Sequence, residues 1–408
     1  MEPILVTGPD VLIEGSALDQ LRRVAALPGC VRAVGMPDLH PGPGIPIGAA
    51  LAFDGLVRPD FVGSDAGCGA RLTVVRRARA SGDDLVRRLR AEMDGDALPE
   101  ADPIALLEAV WRSGPRGLAK VPGVPAALAE LALAEPEEDD PPSAAFPFDL
   151  AAASVTTFPN APPSIASALG TIGGGNHFAE VTRVSEVEDG ASGFKKGDVA
   201  VLVHSGSRGL GKRLSERWAG RILESTDVET YRRELAGACR FARANRLVLA
   251  WRLLRALGAA RPQDSVSSFD VTHNTVTGMF LDGRAVYLHR KGCAPAEAGQ
   301  RTLVLGTRGT PTWVMEGLGN SELLSSVAHG AGRRLVRSEA AARLRSRYTR
   351  ESLERTRIGG RVLCDDTALM YEEHPDAYKA IEPVVASLVA AGVARRVAAL
   401  TPLVTVKL

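Results

Sequence analysis

The stretch Val62 to Arg71, VGSDAGCGAR, sets one carboxylate and one thiol three residues apart among three glycines. Asp65 and Cys68, at i and i+3 of such a turn, can face a single point. The spacing by itself admits two readings: a buried turn that contains a cysteine, or half of a metal site whose other ligands lie far down the chain. A thiolate with imidazoles suits a borderline ion such as Zn, Mn, Fe or Co, and a carboxylate shifts the preference toward harder ions. Histidines able to complete one or two centres are His177 in GGGNHFAEV, His204 in VHSGSRGLG and His273 in DVTHNTV. With His40, His289 and His329 they make six histidines flanked by loop-forming residues or placed at strand ends, whereas His374, in YEEHPDAY, has surface-like surroundings. Glycine at such places permits positive φ and close approach of the backbone to a ligand. Two adjacent ions sharing one ligand form the usual clamp for phosphoryl chemistry.

A second set of residues suits anions. HSGSRG follows an apolar run and places two hydroxyls, Arg208 and free backbone N–H groups in one tight loop, an anion nest with a cationic fork. HRKG adds Arg290 and Lys291, and GTRGTPTW adds Thr307, Arg308, Thr310 and Thr312 at a strand end. GGGNH lacks the spacing of a phosphate-binding Walker loop or a dinucleotide fingerprint, so both are rejected. Each of these loops taken singly reads equally as a solvated basic turn. His329, in SVAHGAGRR, is expected on a helix among small neighbours that leave clearance above the ring, as a covalent nucleophile toward phosphorus requires.

The elements that must position these residues alternate along the chain. A helix is expected from Ser16 to Leu27 with Ser16 as its cap, then a Gly/Pro-rich loop GMPDLHPGPGIPIG leading into a strand. Helical patterns fill Ser81 to Glu135 and Val228 to Leu257, and a further helix is expected from Glu322 through the region of His329. Runs such as DVAVLVHS, RAVYLHRK and RTLVLG read as strands that end in the loops above. The chain closes on a helix in DAYKAIEPVVASLVAAG and a strand in LTPLVTVKL. The expected class is α+β, with β-sheets and flanking helices around one central cleft, and residues 1–408 as a single unit. The acidic, Pro-rich stretch Glu135 to Pro163 is read as a surface excursion from it.

Bulk properties narrow the classes. The 408 residues are 45% hydrophobic and 24% charged with formal net charge +1, so no global basic field announces nucleic acid. Only seven lysines occur, and arginine supplies most of the positive charge. Five scattered cysteines, with no CxxC pair, favour a reducing cytoplasm. The N-terminus lacks a signal-peptide pattern, and no apolar run approaches a membrane span.

Taken in order, MPDLHPGPGIPIG, GSDAGCGAR, GGGNHFAEV, HSGSRGLG, HN, HRKG, GTRGT, HGAGR, AYKAIEPVV and PLVTVK resemble the RtcB family of GTP-dependent RNA ligases, from about residue 36 to the C-terminus. The resemblance implies an RtcB-like fold and an enzyme that uses Mn²⁺, two ions per active site, and GTP. Such an enzyme joins RNA ends bearing a 3′-phosphate or 2′,3′-cyclic phosphate to a 5′-hydroxyl. By position it implies Asp65, Cys68, His177, His204 and His273 as manganese ligands, Cys68 bridging, and His329 as the guanylylated residue. Asn176 matches a triphosphate contact, and Glu180, Thr307, Thr312 and Lys407 fall where the family holds the guanine nucleotide. Arg208, Asn274, Arg290 and Lys291 are expected at the phosphates or the RNA. The resemblance further implies a monomer in the cytoplasm, in some members helped by a small archease protein. Ser64 in place of Phe, Thr307 and Arg308 in place of Ser and Met, and Cys293 in place of Ala depart from the usual pattern without removing a ligand or the nucleophile. The competing expectation keeps the metal centre and drops ligation, leaving a cyclic phosphodiesterase or an enzyme that only guanylylates ends. A third, an RNA-end-binding protein without activity, has no use for the nucleophile.

Overall fold

The computed structural model describes residues 1–76, 78, 82–137, 140–148 and 164–407. Along the chain the strands are β1 (Ile4–Leu5), β2 (Cys30–His40), β3 (Ile47–Asp54), β4 (Gly69–Val75), β5 (Phe178–Val187), β6 (Val199–Ser205), β7 (Ser265–Thr272) and β8 (Asn274–Leu281). They continue with β9 (Arg284–Lys291), β10 (Cys293–Pro295), β11 (Arg301–Val304), β12 (Thr312–Gly317), β13 (Ser326–Ala328), β14 (Arg361–Cys364) and β15 (Ala394–Lys407). The helices used below are α1 (Gly15–Ala25), α2 (Gly82–Met93), α3 (Pro103–Ser113), α4 (Ala126–Leu133), α5 (Gly209–Trp218), α6 (Ser225–Leu257) and α7 (Arg337–Arg345). The architecture is α+β.

Among the described residues the strands form an eight-stranded sheet in the order β11-β12-β15-β5-β6-β4-β7, with β14 added beside β15. A second sheet runs β1-β2-β3-β9-β8, and β10 pairs with β13 alone. In the large sheet β4 and β6 are buried along their whole length; β6 accordingly opens on the apolar run VAVLV, whereas β4 also buries Arg71 and Thr73. The register aligns their ends: Gly69 pairs with both Ser205 and Thr272, and His204 lies opposite Phe178. The residues just before β4 and β5, near the end of β6 and just after β7 therefore meet at one edge. These are Cys68, His177, His204 and His273.

Helix α6 backs this sheet. Leu249, Leu253 and Leu254 pack on Val181, Val201 and Val203, while Phe241, Leu247 and Trp251 join a second cluster with Trp111. It is buried on nearly every side, polar residues Asn245 and Arg246 included, and it stops at Gly258 in the left-handed conformation. In the described part of the acidic excursion, Glu135 forms a paired salt bridge with Arg71, and Trp111 donates from Nε1 to the Ala144 carbonyl at 2.9 Å. The rest of that excursion lies outside the described residues.

Three sequence expectations change. Helix α1 is preceded by Glu14, not capped by Ser16, and makes no side-chain cap bond there. MPDLH is strand rather than loop: β2 runs on to His40, paired with β3 through an irregular register between Gly35 and His40 that accommodates Pro37. The helix expected through His329 does not form. After a short turn at Ser321–Leu323, Leu324 and Ser325 take positive φ (57° and 41°), and β13 then pairs antiparallel with β10. Burying Val327 and Ala328 in that pair outweighs the helical propensity of a small-residue run, and His329 emerges from a strand end.

Candidate metal centre and adjoining cleft

At the sheet edge Cys68 Sγ lies 3.4 Å from His177 Nε2 and 3.3 Å from His204 Nε2. His204 Nε2 lies 3.3 Å from His273 Nε2, and His177 Nε2 lies 2.9 Å from Asp65 Oδ2. Two ligand groups result, Cys68/His204/His273 and Asp65/Cys68/His177, each with its donor atoms within 4.8 Å of one another and sharing Cys68. Three of these ligands and Cys68 itself are almost fully buried, with Asp65 at the mouth.

The protonation states fit cations. His204 Nδ1 sits 3.1 Å from the Asn176 carbonyl, which can only accept, so Nδ1 carries the proton and Nε2 presents its lone pair to the cluster. Burial holds His204 and His273 well below the ordinary imidazole range, hence neutral. Burial raises Asp65, but the adjacent His177 more than offsets it and holds the carboxyl below the usual range. Burial, then the Asp65 charge, pushes the Cys68 thiol well up. Lone pairs of imidazoles facing a thiol at such distances repel unless a proton or a cation lies between them. The donor set, one sulfur with nitrogens and an oxygen, suits a borderline divalent ion.

Local backbone explains the convergence. Cys68 N–H donates to Asp65 O, and His273 N–H to Cys68 O at 2.8 Å. Asn274 donates to Asp65 O at 3.0 Å and accepts from Gly292 N–H at 2.8 Å. Gly206 must be glycine for a steric reason: a Cβ there falls 2.1 Å from Asp65 Oδ1. Gly173, at φ +91°, leaves room for the Arg208 guanidinium, whose nitrogen would lie 1.5 Å from a Cβ. Arg208 itself has positive φ and donates to Thr171 Oγ1 at 3.1 Å.

His329 joins from the other side of a cleft of about 1200 Å³. Its ring centroid is 4.9 Å from that of His273. Its Nδ1 lies 2.8 Å from Oδ2 of Asp38, a fully buried residue of β2, so Nδ1–H donates to the carboxylate and Nε2 keeps its lone pair. Nothing local marks Asp38 in the sequence beyond the MPDLH motif, because its partner is 291 residues away.

Of the other expected residues, Asn176, Glu180, Thr307, Asn274, Lys291 and Lys407 line the same cleft. Glu180 accepts from Thr405 Oγ1, and burial raises its carboxyl to about 8. Lys407 donates to the carbonyls of Gly175 and His177 at 2.8 and 2.7 Å, and burial lowers it to about 8. Lys291, also lowered by burial to about 8, donates to Pro43 O at 3.0 Å.

Two expected residues turn away. Arg290 points to the opposite face of β9 from Lys291, as successive strand residues do, and donates to Ser326 Oγ at 3.0 Å. Thr312 is buried and accepts from Gly306 N–H at 3.0 Å, which closes the GTRGT loop rather than facing the cleft. Glu373, in the stretch read as surface, is instead a buried cleft carboxylate. Arg333 donates to it at 2.9 Å and the Tyr378 hydroxyl donates to its other oxygen. Phe178 and Tyr378 supply aromatic surface to the same cleft.

The profile of the family described as RtcB, tRNA-splicing ligase RtcB, matches residues 20–227 and 219–408. The RNA-splicing ligase RtcB2 of Escherichia coli is 35% identical over 412 residues, 98% of this chain and 94% of the relative. The RNA-splicing ligase RtcB of Mycobacterium tuberculosis is 34% identical over 445 residues, covering 95% and 100%. The tRNA-splicing ligase RtcB of Archaeoglobus fulgidus is 30% identical over 452 residues, covering 96% and 91%. The chain belongs to the RtcB family. Among the described residues no helix is long and apolar enough to cross a membrane.

Proposed function

We propose that this protein is a GTP- and manganese-dependent RNA ligase that joins a 3′-phosphate or 2′,3′-cyclic phosphate end to a 5′-hydroxyl end. Its relatives are named RNA-splicing or tRNA-splicing ligases. The observation that carries the mechanism is the Asp38–His329 pair beside the ligand cluster, since it fixes the tautomer a nucleophilic ring nitrogen needs.

Asp65, Cys68, His177, His204 and His273 would hold two Mn²⁺ ions, which when bound neutralise phosphate charge. His329 Nε2 attacks the α-phosphorus of GTP; a nitrogen–phosphorus bond forms and pyrophosphate leaves. Asp38 takes up the charge that develops on the imidazole by accepting from Nδ1–H. The RNA 3′-phosphate then displaces His329 from the guanylate, giving an RNA end capped through a diphosphate. Last, the 5′-hydroxyl oxygen attacks the RNA-side phosphorus of that diphosphate, the bridging P–O bond breaks, the phosphodiester forms, GMP departs and the hydroxyl proton is released to solvent. A cyclic phosphate is first opened by water. Glu180, Thr307 and Lys407 supply polar groups for a guanine, Phe178 and Tyr378 flat surface for it, and Asn176 and Lys291 donor or positive groups for phosphates. Arg208 is not among the cleft-lining residues and adds positive charge from behind, within electrostatic reach of Asp65 and Cys68.

The test incubates the protein with α-labelled GTP and Mn²⁺. Acid-labile label on the parent and none on His329→Ala is the expected result. Equal labelling of the two proteins sinks the mechanism. Adding RNA with 3′-phosphate and 5′-hydroxyl ends then separates a ligase from an enzyme that stops at guanylylation or only opens cyclic phosphates.

A further inference from the structure

Beneath the ligand cluster lies a cation that the proposed chemistry leaves unused. Arg246, on α6, is fully buried, and its five N–H groups all have acceptors. Nε and Nη2 donate to the two oxygens of Asp270 at 2.7 and 2.6 Å. Nη1 donates to the carbonyls of Gly67 at 2.9 Å and Ser205 at 2.8 Å, and Nη2 reaches Thr272 Oγ1 at 3.4 Å. Gly67, Ser205 and Thr272 are the immediate neighbours of Cys68, His204 and His273. These lie at the ends of three adjacent strands, β6, β4 and β7, which one planar guanidinium therefore ties together.

The two unshared ligands of the second group are anchored differently. The His177 loop is held by Lys407 through the Gly175 and His177 carbonyls, and the Asp65 carbonyl by Asn274. Asn245, next to Arg246, reaches Gly170, Thr171 and Ser205 Oγ but neither Asp65 nor His177. A flexible lysine cannot reproduce the Arg246 arrangement, because three donors on a single nitrogen do not match a planar fork of five.

We infer that Arg246 is a positioning residue chiefly for one metal of the pair: it sets the spacing of Cys68, His204 and His273, while Asp65 and His177, the two ligands of the other group that are not shared, are held from elsewhere. The inference rests on the two-metal reading above. It assigns the buried Arg246–Asp270 pair a role in metal geometry beyond fold stability.

The experiment titrates the metal-stripped full chain with Co²⁺, following stoichiometry by calorimetry and thiolate-to-cobalt charge transfer in the near ultraviolet. The parent is expected to bind two ions. If it binds none, the metal reading fails and the inference with it. Arg246→Lys should weaken the Cys68/His204/His273 site by about 10–100-fold, the usual loss when outer support of a metal ligand is removed, and the other site, which shares only Cys68 with it, by clearly less. Because breaking a buried ion pair can prevent folding, the double variant Arg246→Met, Asp270→Leu is the second arm. Replacing both charges by apolar groups of similar size is often neutral for stability. It should melt like the parent in chelator and show the same unequal loss at the two sites. Two sites of parental affinity in either folded variant, or equal weakening of both sites, overturns the inference. So does failure of both variants to fold, since Arg246 is then a stability residue alone.

Discussion

The Asp38–His329 contact allows the sharpest quantitative test. In Asp38→Asn the side chain keeps its volume within a fully buried site but loses its charge, and its amide can donate to Nδ1 instead of accepting from it. Donation to Nδ1 moves the ring proton to Nε2 and removes the lone pair that the proposed attack on phosphorus needs. In the proposed attack by His329, positive charge would develop on a ring whose Nδ1 is 2.8 Å from Oδ2, so the charge centres would lie about 4 Å apart. With an effective dielectric near 20, that pair is worth about 4 kcal/mol. The net contribution of a hydrogen bond to a charged group is about 1.5–3 kcal/mol. At about 1.36 kcal/mol per decade, the two figures bracket a loss of roughly 10-fold to 1000-fold in the rate of the guanylylation step. The assay is single-turnover labelling of the protein with α-labelled GTP and Mn²⁺, beside cobalt binding and a melting curve in chelator. Labelling within threefold of the parent, with metal binding and melting unchanged, refutes the tautomer argument.

Other changes should separate ligands from scaffold. Cys68→Ala removes the donor common to both groups, so it should abolish the thiolate–cobalt band and GTP labelling while far-ultraviolet circular dichroism stays parental. Gly206→Ala drives a methyl group to 2.1 Å from Asp65 Oδ1 and should weaken metal binding at least tenfold, read by calorimetry; unchanged affinity refutes the steric argument. Glu180, raised to about 8 in the folded chain from an ordinary 4.5, stays protonated between those values while the unfolded chain ionises. The folded state then binds more protons, so this group makes stability fall as pH rises from about 4.5 to about 8. Removing that dependence in Glu180→Gln should make its melting temperature, relative to the parent, climb steadily from pH 5 to pH 8; a flat difference contradicts the assignment.

What the sequence disclosed and withheld follows from range. Cys68, His177, His204 and His273 stand out because each sits beside Gly, Ser or Asn at a strand boundary, and local spacing reveals strand boundaries. The reading of His329 as helical failed because SVAHGAG has helical spacing of small residues. The competing β13–β10 pairing depends on Cys293 to Pro295, far upstream. Arg290 and Lys291 were indistinguishable as a basic pair, and only the pleat of β9 sends one to the cleft and the other to Ser326. Asp38 and Glu373 were passed over since single carboxylates in polar or Pro-rich runs are ordinary. Their importance comes from partners 291 and 40 residues away. Thr312, placed by resemblance at the nucleotide, closes its own loop instead.

The junction at His273 has a consequence for the chain as a polymer. It links β7, at one edge of the large sheet, to β8, at the edge of the other, so the two sheets are joined covalently at a ligand. An ion held by Cys68, His204 and His273 ties chain segments 136 and 69 residues apart, in effect a reversible cross-link. Closing loops of that size restricts an unfolded chain by about 4–5 kcal/mol in the entropic picture used for disulfides. An ion bound there would fasten the ends of β4, β6 and β7 at the point where the chain passes to the other sheet, in addition to its proposed chemical part. Ions that cannot support ligation should still slow proteolysis at the β7–β8 junction, which separates the mechanical role of the centre from its chemical one.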